Sequence, residues 1–87
     1  MADNQDPAIA DAPIVDARGL ACPLPVLRLR KALTGLAPGK LVRLLATDRV
    51  ALRDVPAFCA SAGHEVLDTA DDKREVRFVV RRGRSSP

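Results

Sequence analysis

Two thiols, Cys22 and Cys59, are the only cysteine nucleophiles in this 87-residue chain, and their surroundings differ. Cys22 lies in Gly19-Leu20-Ala21-Cys22-Pro23-Leu24-Pro25, between a short β-branched run and a long helical pattern. A residue before proline is pushed toward extended backbone, which is also what a helix N-cap needs. Pro23 therefore places Cys22 just ahead of a first helical turn. A sulfur there meets the positive end of the helix dipole, which favours the thiolate. Pro23 and Pro25 each remove an N–H from that turn, leaving the Leu24 and Val26 amides to meet the sulfur. That makes a weak anion cradle rather than a phosphate pocket, and the prolines instead stiffen the loop and hold the thiol outward. Leu24, preceding Pro25, is biased away from helical backbone, so an irregular first turn is expected. The competing reading of Cys22 is an inert, buried cap.

The other candidate groups read as structural. Cys59 falls beside the apolar face of a second helix and is expected to be buried. His64 follows Gly63 at a strand start with no ligand cluster around it, which reads as a polar rim histidine rather than a metal ligand. Asp48 and Asp54 read as turn and cap residues, with Asp54 a possible N-cap for the second helix. On the first helix, Leu24 and Leu27 fall away from the core stripe, on the face that carries Arg28 and Lys31. An apolar pair ringed by positive charge one turn from a reactive cysteine is a candidate docking face. The bland alternative is a pair of surface leucines.

The elements that must position these groups follow from periodicity. Residues 1–13, rich in Asp, Ala and Pro, read as a disordered lead-in. Ile14 to Ala17 is a first strand, ended by a turn at Gly19. Pro23 to Leu36 is helical, with Val26, Leu29, Leu33 and Leu36 as the buried stripe and Pro23 at the first helical position. Lys40 to Thr47 is a strand with Val42, Leu44 and Ala46 on one face. A second helix ends near Ala62 and is closed by Gly63; Pro56 must lie in about its first turn. His64 to Thr69 and Glu75 to Arg81 are strands joined by a turn at Asp71-Asp72-Lys73, with Val76, Phe78 and Val80 facing in. Residues 83–87 read as a flexible tail, leaving 14–82 as the domain. The order β-α-β-α-β-β, with right-handed crossovers, gives an α+β two-layer sandwich. Two helices cover one face of a four-stranded mixed sheet, and the other face is open.

Composition limits the alternatives. The chain suits one small domain, which buries about 60–65% of its unfolded surface. Two Phe with no Tyr or Trp argue against stacking of bases on aromatic platforms, so direct nucleic-acid binding is not expected. The net charge of +3 is scattered and partly lies in the terminal arginines. Two cysteines with no CxxC pair do not make a disulfide scaffold. No basic leader with an apolar run and no long apolar segment is read, so the expected compartment is the cytoplasm, with no membrane contact.

Asp16, Gly19 to Pro25, Pro38-Gly39, Thr47-Asp48, Asp54 to Cys59 and Gly63-His64-Glu65 together resemble the TusA, or SirA-like, family of sulfur carriers. The resemblance spans about Val15 to Arg82. It implies the same sandwich fold and a sulfurtransferase role. Cys22 would take sulfane sulfur as a persulfide, with Gly19, Pro23 and Pro25 as motif support. The implied partners are a cysteine desulfurase or other persulfide donor and a downstream acceptor protein, in tRNA thiolation, molybdenum-cofactor assembly or sulfur oxidation. It implies no metal or organic cofactor, and the chain is expected to act as a monomer. Two other classes remain open at the level of sequence. One is a regulatory RNA- or protein-binding module using Arg43, Arg77 and Arg81 on the open sheet face. The other is a redox protein pairing Cys22 with Cys59.

Overall fold

A computed structural model of the chain describes residues 7–84. One turn of helix, α1 (Pro7–Ala10), precedes β1 (Ile14–Ala17), α2 (Leu24–Thr34), β2 (Leu41–Ala46), α3 (Ala51–Ala62), β3 (Glu65–Asp71) and β4 (Val76–Arg81). The strands form one sheet in the order β1-β2-β4-β3. β1 runs parallel to β2, as a helical crossover requires, while β4 is antiparallel to both β2 and β3. From β1 to β4 the order is the expected β-α-β-α-β-β, and α2 and α3 pack on one face of the mixed sheet.

The alternation of side chains along β2 and β4 builds the core. Val42, Leu44 and Ala46 pair with Val80, Phe78 and Val76, and all six are sealed from solvent. Leu29 and Leu33 of α2 and Val55 and Cys59 of α3 close over them. Full burial of a side chain such as Leu29 contributes about 1.5–3 kcal/mol relative to leaving it exposed. Because the inward residues of β2 and β4 share one register, a one-residue slip would turn this whole set to water.

Several boundaries differ from the sequence expectation, each for a local reason. The expected lead-in is ordered from Pro7, because Ile9 and Ala12 are buried and Arg43 ties the segment down. The Arg43 guanidinium donates to the carbonyls of Ala10 at 3.1 Å and Ala12 at 2.8 Å. The outer sheet face is therefore partly occupied rather than open, and its Val79 is only 6% exposed. Residues 1–6 lie outside the described region. At the other end, the expected flexible tail is packed at Gly83, whose N–H donates to His64 Nδ1 at 2.9 Å; residues 85–87 lie outside the described region.

Asp54 is not the α3 N-cap. The helix begins a turn earlier, after Val50, and Pro56 sits inside it. Pro56 is on the exposed side, where water can serve the Leu52 carbonyl that its missing N–H leaves free. Gly63 ends the helix as expected, in the left-handed region at φ 83°, where only glycine is at ease. β3 runs two residues further than expected, with a bulge that leaves Leu67 unpaired between Val66 and Asp68.

Candidate functional site

The carboxyl ends of the parallel strands β1 and β2 lie side by side, and the loops leaving them meet there. In open α/β sheets the region beyond the carboxyl ends of the strands is the usual place for a site. The loop from Arg18 to Pro23 leaves β1 through Gly19, at φ 81°. It is held at two points by consecutive residues from the end of β2. Gly19 N–H donates to Thr47 Oγ1 at 2.8 Å, and Cys22 N–H donates to Asp48 Oδ2 at 2.9 Å. The other oxygen of Asp48, Oδ1, accepts from Val50 N–H at 2.9 Å, and its backbone carbonyl accepts from Ala51 N–H at 3.0 Å. A single aspartate thus joins the cysteine backbone to the head of α3.

Cys22 is half-buried at this junction. It is not the helix cap that the sequence suggested: Pro23 occupies the N-cap position of α2, no side chain caps it, and the Cys22–Pro23 peptide is cis. Nor is the Leu24 amide left for the sulfur, since it donates to the Ala21 carbonyl at 3.0 Å. Pro25, in the first turn, is buried.

The electrostatics reverse the expectation of a favoured thiolate. Burial first, then the nearby carboxylates of Asp54 and Asp48, push the Cys22 thiol up; Arg53 opposes them. Burial and nearby negative charge both disfavour the charged form of the sulfur. Asp48 itself is held below the usual carboxylate range, chiefly by the N–H groups of Cys22 and Val50.

The remaining candidates divide cleanly. Leu24 and Leu27 are 45% and 49% exposed on α2, beside exposed Arg28 and Lys31. No ion pair forms at Arg28 or Lys31 among the described residues. Cys59 is buried in the core, and burial pushes its thiol up to about 11. His64 is buried, not a rim residue. Its Nδ1 accepts from Gly83, so the proton sits on Nε2, which finds no partner among the described residues. Burial, then the charge of Arg82, hold it below its usual range.

Thr47 and Asp48, quoted for the resemblance but read only as a turn, are the residues that hold the Cys22 loop. The signal that could have placed Thr47 and Asp48 is their position at the carboxyl end of the strand parallel to β1. Among the described residues, no cluster of three or more His, Cys, Asp or Glu could hold a metal ion.

Residues 14–82, the whole sheet and both long helices, match the family described as Sulfurtransferase TusA. The chain belongs to the TusA family. It is 37% identical to a putative sulfur carrier protein YrkI of Bacillus subtilis over 70 residues, 80% of this chain and 93% of that protein. It is 41% identical to the sulfur carrier protein TusA of Pseudomonas putida over 69 residues, 79% of this chain and 86% of that protein. A solved SirA-like protein from Desulfitobacterium hafniense superposes with a TM-score of 0.72 at 25% identity, covering 82% of this chain and 97% of that one. These TusA relatives support a sulfur-carrier role. No helix among the described residues is long and apolar enough to cross a membrane.

Proposed function

We propose that this protein is a sulfurtransferase of the relay kind: Cys22 accepts a sulfane sulfur as a persulfide and passes it to the thiol of a following protein. The observation that carries the reading is the contrast between the two cysteines. Cys22 is half-buried in the loop beyond the strand ends, while Cys59 is 1% exposed inside the core. A carrier must not resolve its own persulfide, and a buried second thiol cannot attack it.

The chemistry requires no group beyond the thiol. The Cys22 sulfur attacks the terminal sulfur of a donor persulfide, the donor S–S bond breaks, and the donor leaves as a thiol. Delivery repeats the step with Cys22 as the leaving sulfur. Both encounters need a surface beside the thiol. The exposed Leu24 and Leu27 with Arg28 and Lys31 offer one, which continues into a groove lined by Val15, Ala32 and Leu36. A cysteine desulfurase is the proposed type of donor, in a reducing compartment such as the cytoplasm.

The outer sheet face is a poorer candidate for binding RNA. Arg43 is committed to backbone carbonyls and Arg81 is paired with Glu65. The test is incubation with a cysteine desulfurase and cysteine, followed by peptide mass spectrometry. The Cys22 peptide is expected to gain one sulfur. Loading that persists in Cys22→Ala would contradict the proposal.

A further inference from the structure

Sulfur transfer between two cysteines is a displacement at sulfur, and it asks for a narrow line of approach. The Cys22 thiolate forms its bond to the donor's terminal sulfur on the side opposite the donor S–S bond. That bond breaks, and its electron pair stays on the donor sulfur. The proton that Cys22 gives up to water is matched by one that the donor thiolate takes back, so nothing is oxidised or reduced overall. The rate of such a step depends on how well the reacting atom is aimed, so the backbone that carries Cys22 matters as much as its thiol.

That backbone is tied at four N–H groups. Two ties are local to the end of β1: Arg18 N–H donates to Asp16 Oδ1 at 3.1 Å, and Leu20 N–H to the Ala17 carbonyl at 3.2 Å. The other two cross to the end of β2, from Gly19 to the Thr47 hydroxyl and from Cys22 to the Asp48 carboxylate. Thr47 and Asp48 follow directly on Ala46, which is sealed in the core. Asp48 is fixed on its far side as well. Its Oδ1 accepts from Val50 N–H and its carbonyl from Ala51 N–H, and Ala51 is also fully buried. Both carboxylate oxygens are thus taken up by backbone N–H groups of different segments, in charge-assisted bonds. The same two N–H groups hold the carboxyl below the usual carboxylate range, which keeps the anchor ionised at neutral pH. An asparagine brings one acceptor oxygen and could serve only one of them.

We propose that Asp48 is a positioning residue for sulfur transfer, with Thr47 as its second anchor: together they hold Cys22 at a fixed place and angle on the core, so that a docked persulfide meets the sulfur in line. The proposal rests on the sulfur-carrier reading and adds to it the residues that set the transfer rate. Each acts through a backbone N–H of the Cys22 loop. Losing an anchor leaves the thiol available to a small electrophile, which needs no docked pose, but costs a docked persulfide its alignment.

Single-turnover loading of the full chain by excess persulfidated cysteine desulfurase, read by mass spectrometry across donor concentrations, separates the limiting rate from the half-saturating concentration. Asp48→Asn is expected to lower the limiting rate about ten- to a hundredfold while the half-saturating concentration stays within about twofold. Thr47→Val should lower the same rate by a smaller factor, and Thr47→Ser, which keeps the hydroxyl, should restore it. Iodoacetamide reports the thiolate alone: at high pH, where alkylation no longer rises with pH, every variant should react about as fast as wild type. Arg49→Gln is the comparison beside the same helix head; it breaks the exposed pair with Asp71 and should leave loading unchanged. A folded Asp48→Asn that loads at the wild-type limiting rate overturns the proposal. So does a loss confined to the half-saturating concentration, which would make Asp48 a donor contact. Equal losses in loading and in high-pH alkylation overturn it too, because they show a damaged thiol rather than a misaimed one. Should Asp48→Asn fail to fold, Thr47→Val decides by the same criteria. In each of these results wild type still loads and the carrier reading stands; a wild type that never loads at Cys22 contradicts that reading, and the proposal with it.

Discussion

Gly83→Ala is the sharpest test of how the fold closes. Gly83 lies past β4, against the chain reversal that ends α3. A Cβ placed there would sit 1.7 Å from the Gly63 carbonyl oxygen and 2.8 Å from its carbon. The first distance is about half an ordinary van der Waals contact, and the obstacle is backbone, which cannot rotate aside. The segment must therefore move away, and with it goes the bond from Gly83 N–H to His64 Nδ1. Arg82 is disturbed as well, since its guanidinium donates to Gly83 O and, at 2.9 Å, to Leu33 O at the end of α2. Overpacking costs about 1–3 kcal/mol, and a lost hydrogen bond adds about 0.5–1.5, so about 2–4 kcal/mol is expected. For a domain of this size that lowers Tm by roughly 8–30 °C. Thermal unfolding followed by circular dichroism measures it. Gly39→Ala is the control: its φ is 87° but nothing lies within 4 Å of an added Cβ, so only the left-handed backbone, about 1–2 kcal/mol, opposes the change. A Gly83→Ala Tm within about 3 °C of wild type, or a larger loss at Gly39, would refute the packing argument.

Other expectations concern the buried groups and the first segment. The folded protein holds His64 below its ordinary 6.5, so between that depressed value and 6.5 the unfolded chain binds more protons. Stability should be full above 6.5 and should fall as pH drops through the window below it; His64→Gln should flatten that fall in denaturant titrations, and an unchanged slope would count against a buried neutral imidazole. Cys59→Ala should cost about 1–2 kcal/mol in the same titrations yet leave sulfur loading intact. In the native wild type, iodoacetamide at neutral pH should label Cys22 well before Cys59, whose thiol burial pushes up to about 11; equal labelling would contradict the core assignment. Arg43→Ala should release the segment around Ala10 to Ala12, read as faster amide hydrogen exchange at residues 9–13, while protection in β2 persists.

The sheet and helices were legible because burial imposed a clean period. Val42, Leu44 and Ala46 alternate, and Leu29 and Leu33 recur at helical spacing, so the core followed from pattern alone. Cys22 was legible from its prolines. Its electrostatics were not, because Asp48 and Asp54 are distant in sequence and come near Cys22 only once β2 lies beside β1. Local reasoning assigned both to turns and caps, and for Asp48 that is half the truth: one oxygen serves Val50 and the other serves Cys22. His64 and Gly83 were misjudged for a related reason. His64 was read as a polar rim residue and Gly83 as part of a loose tail, until a contact between the end of α3 and the end of β4 buries the imidazole and fixes Gly83 against it. Ile9 and Ala12 show the same limit. A short run of small residues has no period to detect, and only Arg43 on the neighbouring strand gives it a fixed place.

The central claim is that one thiol, that of Cys22, carries a removable sulfur. Loading the protein from a desulfurase with radiolabelled cysteine sulfur, removing the donor, and treating with cyanide measures this directly, because cyanide takes a sulfane sulfur as thiocyanate and leaves a thiol behind. Wild type and Cys59→Ala should each release close to one labelled sulfur per chain, and Cys22→Ala none. Label that remains on Cys22→Ala, or label on Cys22 that cyanide cannot remove, would contradict the account.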